Sequence, residues 1–154
     1  MAGRIYEILA ADHRRLDNLL QKALAGSQLD YEAFENFRAG LLRHIGMEEK
    51  VLFPTAQKKV GKPIPGVDKL RQDHSQLAAM LVPTPSKAIA EDIKAVLAAH
   101  NQLEEGPQGV YARCEEAIGE DIPDTLDKLR RYPAVPLAPH FDGPGTYKPR
   151  PRRA

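Results

Sequence analysis

Apolar residues recur at spacings of three and four along most of the chain, which is the pattern of helices that bury one face. The first helix is predicted from Ile5 to Leu24, where Gly26-Ser27 follows as a stop signal. The second is predicted from the N-cap Asp30 to about Lys59. Pro54 should kink it, because proline has no backbone N–H to donate to the preceding turn.

Two more helices of the same kind are predicted after proline-rich breaks. The third should span residues 67–81, beyond a loop rich in glycine and proline. The fourth should begin with Thr84 as its N-cap and Pro85 as its first helical residue. Gly106-Pro107 should distort this helix before it resumes to about Ile118.

The end of the chain differs in composition. Residues 121–131 predict a short capping helix that Tyr132-Pro133 ends. Residues 132–154 hold six of the thirteen prolines and four basic side chains against one acidic one, which favours extended chain. We therefore predict a helical domain at 1–131 and a basic, Pro-rich tail at 132–154. The tail is either solvated or lies along the bundle or a neighbouring chain.

A histidine and a carboxylate lie on the core face of the second helix. His44 and Glu48 continue the apolar stripe of Phe34, Phe37 and Leu41, which should pass on to Val51. An unpaired carboxylate in an apolar interior costs several kcal/mol. Glu48 therefore needs a basic residue or a metal ion as its partner.

The polar residues on the core faces form an internal repeat. Asp12-His13-x-x-Leu16 recurs as Asp73-His74-x-x-Leu77, and His44-x-x-x-Glu48-Glu49 recurs as His100-x-x-x-Glu104-Glu105. Each half of the chain thus supplies one helix of each kind. Because two helices cannot bury their own apolar faces, the two pairs predict an all-α four-helix bundle.

The loop positions place the four histidines at one level. In an up-down bundle, residues level with each other on consecutive helices lie equally far from the loop between them. The midpoints between successive histidines fall in, or within one residue of, the predicted breaks at 26–30, 60–66 and 83–86. The four side chains should therefore share one core layer, with Glu48 and Glu104 about 5–6 Å away on the same faces.

Imidazoles and carboxylates that converge in this way predict a metal site. A single histidine on an apolar face is more often a satisfied core residue, but four at one level with two glutamates are hard to explain as packing. Mixed nitrogen and oxygen ligands suit iron, manganese or zinc, and shared carboxylates indicate bridges between two ions. The candidate ligands are His13, His44, Glu48, His74, His100 and Glu104.

Composition narrows the classes of partner. The 154 residues include 22 basic and 21 acidic side chains, so no overall charge attracts nucleic acid or an anionic membrane. We find no apolar run of membrane-spanning length and no signal-peptide layout at the start of the sequence. The single cysteine, Cys114, excludes an internal disulfide and fits a reducing compartment. We expect a cytoplasmic protein.

The order and spacing of the six candidate ligands resemble those of the hemerythrin-like HHE cation-binding domain. The flanking Asp-His-x-x-Leu and Glu-Glu-Lys-Val-Leu-Phe-Pro segments share the resemblance, which covers residues 1 to about 118. It implies an up-down four-helix bundle with a non-haem di-iron centre. Members of that family are associated with oxygen binding, oxygen or redox sensing, nitric oxide or peroxide handling, and iron homeostasis.

The sequence departs from the oxygen-carrying hemerythrins at two places. Those proteins have a further histidine one turn before the third-helix histidine, where this chain has Leu70. The centre should therefore have one protein ligand fewer and more open positions. The carriers also place the fourth-helix carboxylate five residues after its histidine, whereas the HHE pattern places it four after, so both Glu104 and Glu105 are available. Symmetry with Glu48 favours Glu104.

Three neighbouring residues have two interpretations each. Gly46 either leaves room for a small ligand or allows a tight helix crossing. Tyr6 and Tyr111 lie two turns from His13 and Glu104, and each is either an ordinary core-edge tyrosine or a donor to a ligand carboxylate.

Three functions fit these residues. We expect a di-iron protein that binds or senses oxygen, nitric oxide, peroxide or iron status, without nucleic-acid or membrane partners. The first alternative is a di-iron enzyme that reduces peroxide or nitric oxide. The second is a structural bundle with a vestigial site, whose tail engages a protein partner or a second copy of the chain.

Overall fold

The computed structural model describes residues 3–149 and 151, and within them every regular element is helical. The helices are α1 (Arg4–Leu24), α2 (Tyr31–Met47), α3 (Phe53–Val60), α4 (Val67–Met80), α5 (Lys87–Glu105), α6 (Val110–Ile118) and α7 (Ile122–Arg130). A π-helical turn (Glu48–Leu52) joins α2 to α3, and a 3₁₀ turn (Gly119–Asp121) precedes α7. The predicted four-helix bundle is confirmed. Its four long helical segments, called rods below, are first α1, second α2 continued by α3, third α4, and fourth α5 continued by α6. No helix in the described part of the chain is long and apolar enough to cross a bilayer.

The N-caps agree with prediction at one helix and differ at another. Asp30 caps α2, since its Oδ1 accepts a hydrogen bond from the backbone N–H of Ala33 at 3.0 Å. The prediction of Thr84 and Pro85 at the start of the fourth rod was wrong. Ser86 is the N-cap of α5, and Thr84 bonds to Asp142 of the tail instead.

A π-helical turn immediately precedes Pro54, where a kink was predicted. The backbone N–H of Phe53 bonds to the carbonyl of Glu48, five residues earlier. This extra residue in the turn rotates the apolar stripe by one position. Leu52 is consequently fully buried, while Val51, the predicted core residue, is only half-buried.

Two apolar clusters divide the interior. One packs the start of α1 with α3, α6 and α7 through residues such as Leu9, Phe53 and Leu126. The other packs the end of α1 with the start of α2 and of α5 through residues such as Leu20, Phe37 and Ile93. The layer between them carries most of the buried polar side chains, whereas Arg38 and Thr125 are buried elsewhere. The core stripe predicted for the third rod is fully confirmed, because Val67, Leu70, His74, Leu77 and Leu81 are all buried.

The C-terminal segment lies along the bundle over residues 138–147. The guanidinium of Arg38, itself buried, donates to the carbonyl of Ala138 at 2.6 Å. The backbone N–H of Phe141 donates to the carbonyl of Val82 at 2.9 Å. The Tyr147 hydroxyl donates to Asp92 of α5 at 2.6 Å. The division of the chain at residue 131 stays a prediction.

Candidate metal centre

Four histidines from four rods of the bundle meet in the polar layer. His13 of α1, His44 of α2, His74 of α4 and His100 of α5 are all buried. They form two pairs, with ring centroids 4.6 Å apart for His13 and His44 and 4.9 Å apart for His74 and His100. The core stripes therefore bring together the histidines that the loop positions had placed at one level.

Two fully buried glutamates link the histidine pairs. Glu48 has Oε2 3.4 Å from Nε2 of His44 and Oε1 3.0 Å from Nε2 of His74. Glu104 has Oε1 3.0 Å from Nε2 of His13 and 3.3 Å from Nε2 of His100. Each carboxylate thus reaches one histidine of each pair, and each histidine presents Nε2 to a carboxylate.

The six side chains form two overlapping groups whose ligand atoms lie within 4.8 Å of one another. One group contains His13 and His44, and the other contains His74 and His100. Glu48 and Glu104 belong to both. Imidazole nitrogen with carboxylate oxygen is a donor set that suits iron, manganese or zinc. Either group can hold a metal ion.

Unpartnered buried atoms support this fit. Oε1 of Glu48, Nε2 of His74 and Oε2 of Glu104 are buried without a hydrogen-bond partner. Oε1 of Glu48 and Nε2 of His74 lie 3.0 Å apart but are not aligned as a hydrogen bond. Each of these two neighbouring buried atoms therefore keeps an unused lone pair or proton. Leaving such atoms unsatisfied costs about 1–3 kcal/mol each. A cation among them would satisfy the oxygens and the nitrogen together.

A second layer of carboxylates orients all four histidines through Nδ1. His44 is bonded to Oδ2 of Asp12 at 2.7 Å, His74 to Oε2 of Glu49 at 2.6 Å, His100 to Oδ2 of Asp73 at 3.1 Å, and His13 to Oε2 of Glu105 at 2.5 Å. An ionised carboxylate can only accept, so each Nδ1 carries a proton and donates it. A neutral imidazole held in this way keeps its Nε2 lone pair directed into the centre.

These contacts run in one direction around the bundle. The first rod supports the second through Asp12, the second supports the third through Glu49, the third supports the fourth through Asp73, and the fourth supports the first through Glu105. We call these four side chains the carboxylate ring. From the sequence we predicted no role for Asp12, Glu49 or Asp73, and considered Glu105 only as an alternative ligand to Glu104. Each of the four lies next to a candidate ligand in the internal repeat. The repeat of Asp before His and of Glu after Glu was the signal that could have identified them.

The two glutamates of the fourth rod have different places. Glu104 is fully buried and belongs to both ligand groups, whereas Glu105 is 27 % exposed and bonds to His13. The geometry therefore favours Glu104 over Glu105 as the inner carboxylate. The assignment of ligands stays a proposal until metal is measured.

Burial and charge shift the protonation of the centre. Burial lowers the pKa of the His44 imidazole, but the charge of Glu48 and the hydrogen bond to Asp12 outweigh it and raise the pKa to about 10. Burial is likewise outweighed at His100, where Glu104 raises the pKa to about 9. Burial also opposes the ionisation of Glu48, yet the charge of His44 holds the pKa of Glu48 well below its usual range. A metal ion that binds at neutral pH must therefore displace protons from imidazoles.

Tyr111 of α6 lies at the centre of this layer. It is fully buried, and its hydroxyl donates to Oε2 of Glu48 at 2.6 Å. Burial and the charges of Glu104 and Glu48 raise the pKa of the phenol well above its usual value. Tyr111 is thus a donor to a candidate ligand carboxylate. Tyr6, considered with it, packs edge-on against the Tyr111 ring with centroids 6.3 Å apart.

The remaining residues singled out from the sequence lie outside the ligand groups. Gly46 faces the Tyr132 ring, whose hydroxyl is 2.6 Å from where a Cβ would stand, so it allows close packing of the segment after α7. Leu70 is fully buried and offers no donor atom one turn before His74. Cys114 is buried, and desolvation followed by the charge of Glu48 raises its pKa to about 12, which makes the thiol inert.

A cavity of about 120 Å³ opens onto the centre from the side of the second apolar cluster. His13, His44, His100 and Glu48 contribute to its wall. Most of the remaining wall is apolar, formed by Leu16, Leu20, Leu41, Ile45, Leu97 and Ala98. A mostly apolar cavity of this size has room for a small molecule beside the ligand groups.

Comparison with known proteins agrees with the geometry. A family model described as the hemerythrin HHE cation binding domain matches residues 4–132. The match includes the six candidate ligands, the carboxylate ring and Tyr111. Comparison with curated proteins and with solved structures found no match.

Proposed function

The chain belongs to the hemerythrin HHE cation binding domain family, and on that premise we propose that it holds a non-haem di-iron centre that binds or senses a small ligand. The ligand classes are oxygen, nitric oxide and peroxide, or the centre reports iron status through its own occupancy. The ligands of this proposed centre are His13, His44, Glu48, His74, His100 and Glu104.

One observation carries the proposal of two ions. Glu48 and Glu104 are common to both ligand groups, and each spans from one histidine pair to the other. A single ion in one group would leave the two histidines of the other pair without a metal partner, at a cost in stability. Two ions with shared carboxylates would satisfy both pairs, as in other bundles with inward-facing carboxylate sites.

When bound, iron supplies a redox-active centre that can take a small ligand at an open position. The chain does the rest. The carboxylate ring fixes the tautomer and orientation of the four imidazoles, so the inner donors are preorganised. The cavity, whose wall is mostly apolar but includes Asp17, Lys94 and Asn101, leaves room for a small molecule beside the centre. The hydroxyl of buried Tyr111 donates a hydrogen bond to Glu48. Tyr111 lies on the side of the polar layer opposite the cavity.

The test is metal quantitation with an absorption spectrum of the air-oxidised protein. Protein purified without added iron, and again after iron reconstitution, should carry close to two irons per chain. Manganese or zinc in place of iron would keep the centre and change its chemistry. A preparation that takes up no metal after reconstitution would contradict the proposal and favour a vestigial site in a structural bundle.

A redox enzyme is a second candidate, favoured by Leu70. Leu70 is fully buried and has no donor atom. The His74–His100 position therefore has one protein ligand fewer than the corresponding position of the oxygen-carrying hemerythrins, and one more coordination position is open. Open positions suit the reduction of peroxide or nitric oxide. Mixing the reduced protein with peroxide or nitric oxide separates the two: one spectral change per centre indicates binding, whereas continued consumption with an electron donor indicates an enzyme.

The compartment and the tail remain predictions. We propose a cytoplasmic location, because the single cysteine, Cys114, fits a reducing compartment. The basic residues of the tail are proposed to engage a protein partner or a second copy of the chain, in addition to the contacts that residues 138–147 make with their own bundle.

A further inference from the structure

The hydroxyl oxygen of Tyr111 is surrounded by four candidate ligand atoms. It lies 2.6 Å from Oε2 of Glu48, 3.1 Å from Oε1 of Glu104, 3.0 Å from Nε2 of His13 and 3.1 Å from Nε2 of His44. The side chain is fully buried, and the Tyr6 ring packs against its edge. Packing of the buried side chain therefore fixes the position of the hydroxyl oxygen.

The Tyr111 hydroxyl contacts both histidines of the first ligand group, His13 and His44. Its other two neighbours, Glu48 and Glu104, are shared by the two groups. In the second group, Nε2 of His74 and Oε1 of Glu48 lie 3.0 Å apart and have no hydrogen-bond partner. The two proposed metal positions are therefore chemically unequal.

Hydrogen bonding alone does not account for the place of this oxygen. A phenol has one proton to donate and two lone pairs that accept. If the proton goes to Glu48, the oxygen still lies 3.1 Å from a second carboxylate oxygen with no proton between them. A neutral phenol oxygen and a carboxylate oxygen both offer lone pairs to a cation between them, and the histidine nitrogens beside them are metal donors as well.

The Tyr111 side chain reaches the polar layer from the side opposite the cavity. Tyr111 belongs to the apolar cluster that contains Ile5 and Leu9. The cavity is lined instead by Leu16 and Leu20, which follow His13 along α1. A small ligand in the cavity and the Tyr111 oxygen would therefore approach the layer from opposite sides.

We propose that Tyr111 is a further protein ligand of the ion at the His13–His44 position, an assignment that rests on the proposed di-iron function. On coordination the phenol O–H bond breaks, the oxygen lone pair binds the ion, and the proton leaves to water. No electron is transferred in this step. The His13–His44 position then has one protein ligand more than the His74–His100 position.

The experiment uses full-length protein reconstituted with iron and oxidised in air. A phenolate bound to ferric iron should give a charge-transfer band in the visible spectrum and phenolate vibrations in resonance Raman spectra excited into that band. Tyr111→Phe should lose both while it keeps at least one iron per chain. Tyr6→Phe removes a neighbouring phenol hydroxyl and should keep both signals. Zinc-loaded protein, which has no such transition, sets the baseline.

Each outcome decides the assignment. Wild-type protein with two irons and no phenolate signal, or Tyr111→Phe with the signal intact, would overturn it while the di-iron function stands. Wild-type protein that binds no iron would overturn the proposed function and this assignment together. If Tyr111→Phe does not fold, wild-type protein made with ring-deuterated tyrosine shows whether a tyrosine is bound, since its Raman bands must then shift. Bands that shift in wild-type protein and persist in Tyr6→Phe assign the ligand to Tyr111, whose hydroxyl contacts the ligand group.

Discussion

Oδ2 of Asp12 lies 2.7 Å from Nδ1 of His44, so a residue of the first rod sets the orientation of a candidate ligand on the second. Asp12 immediately precedes His13, a candidate ligand in its own right. One turn of α1 therefore contributes both an inner donor and an outer support to the centre. The same relationship recurs between Asp73 and His100, and it leads to the first prediction.

Asp12→Asn should weaken metal binding without abolishing it. The amide keeps the size of the carboxylate but not its charge, so His44 becomes a poorer donor and its ring is held less firmly. Loss of such an outer partner typically lowers metal affinity by roughly 10–100-fold. A metal titration against a competing chelator measures this. Asp68→Asn, exposed on α4, is the matched control, and equal affinities in the two variants would contradict a role for the carboxylate ring.

Glu48→Ala should lose both ions rather than one. Glu48 is shared by the two ligand groups and contacts a histidine in each. Its removal deletes an oxygen donor from both positions, whereas Glu49→Gln alters only the support of His74 and should keep most of the metal. Metal content per folded chain is the measurement. A Glu48→Ala protein with undiminished metal would show that Glu48 is not a ligand.

Removal of the metal should lower the melting temperature. An ion that binds only the folded chain stabilises it by about 2.7 kcal/mol when its concentration is a hundred times its Kd. For a chain of this size that corresponds to roughly 5–10 °C. Calorimetry of protein before and after chelation tests this. Re-addition of iron should restore the higher value, and an unchanged melting temperature would argue that the ligand groups are empty in the folded protein.

The contact between the C-terminal segment and the bundle should loosen in acid. Glu35 of α2 bonds to His140, and Arg38 lies beside both. Burial raises the pKa of the Glu35 carboxyl, but the hydrogen bonds from His140 and Arg38 lower it below its usual 4.5. The folded chain thus binds this proton more weakly than the unfolded chain. The stabilisation is present above about pH 4.5 and is lost as the pH falls through the lowered pKa.

Hydrogen exchange at one amide reports this loosening. The N–H of Phe141, bonded to the carbonyl of Val82, should lose protection as the pH falls, before the helices do. Glu35→Gln should reduce the protection already at neutral pH, while Glu32→Gln, exposed on the same helix, should not. Asp142, whose pKa is lowered by its hydrogen bonds to Thr84, adds to the acid effect in the same direction. Protection that is independent of pH would refute the prediction.

Gly46→Ala should destabilise the fold while leaving the metal content unchanged. A Cβ at this position would stand 2.6 Å from the Tyr132 hydroxyl and 2.8 Å from the ring carbon that bears it. Overpacking of this kind typically costs about 1–3 kcal/mol. Gly26→Ala, whose nearest contact is 3.5 Å, is the control for denaturant unfolding. In a Tyr132→Ala background the Gly46→Ala cost should disappear, and its persistence would point to another cause.

The sequence predicted the bundle and the convergence of the six inner residues because both depend on helical period and loop position alone. Those properties are local, so Leu77 or His74 can be placed on a core face without knowing its neighbours. The prediction of Thr84 as the N-cap of α5 was wrong because Thr84 donates a hydrogen bond to Asp142 instead. These two residues are far apart in sequence. Val51 was misplaced because the π-helical turn shifts the stripe by one residue.

The carboxylate ring and the place of Tyr111 depended on information that spacing does not contain. Each ring contact joins two rods and is set by the rotamers of both side chains, which follow from packing. Tyr111 follows the Gly106-Pro107 break, and its entry into the layer depends on how α6 resumes after α5. Whether a tyrosine at that point is core-edge or central cannot be read from helical period.

The contacts of the carboxylate ring differ in whether they stay within one half of the chain or join the two halves. Asp12 and Asp73 act within their own half of the chain, whereas Glu49 and Glu105 each reach a histidine of the other half. A single half would therefore have one histidine supported and one unsupported. Two identical halves related by a two-fold axis would complete every contact. The centre is in this sense the fused form of a symmetric dimer, and a half-length chain would bind metal only as a pair.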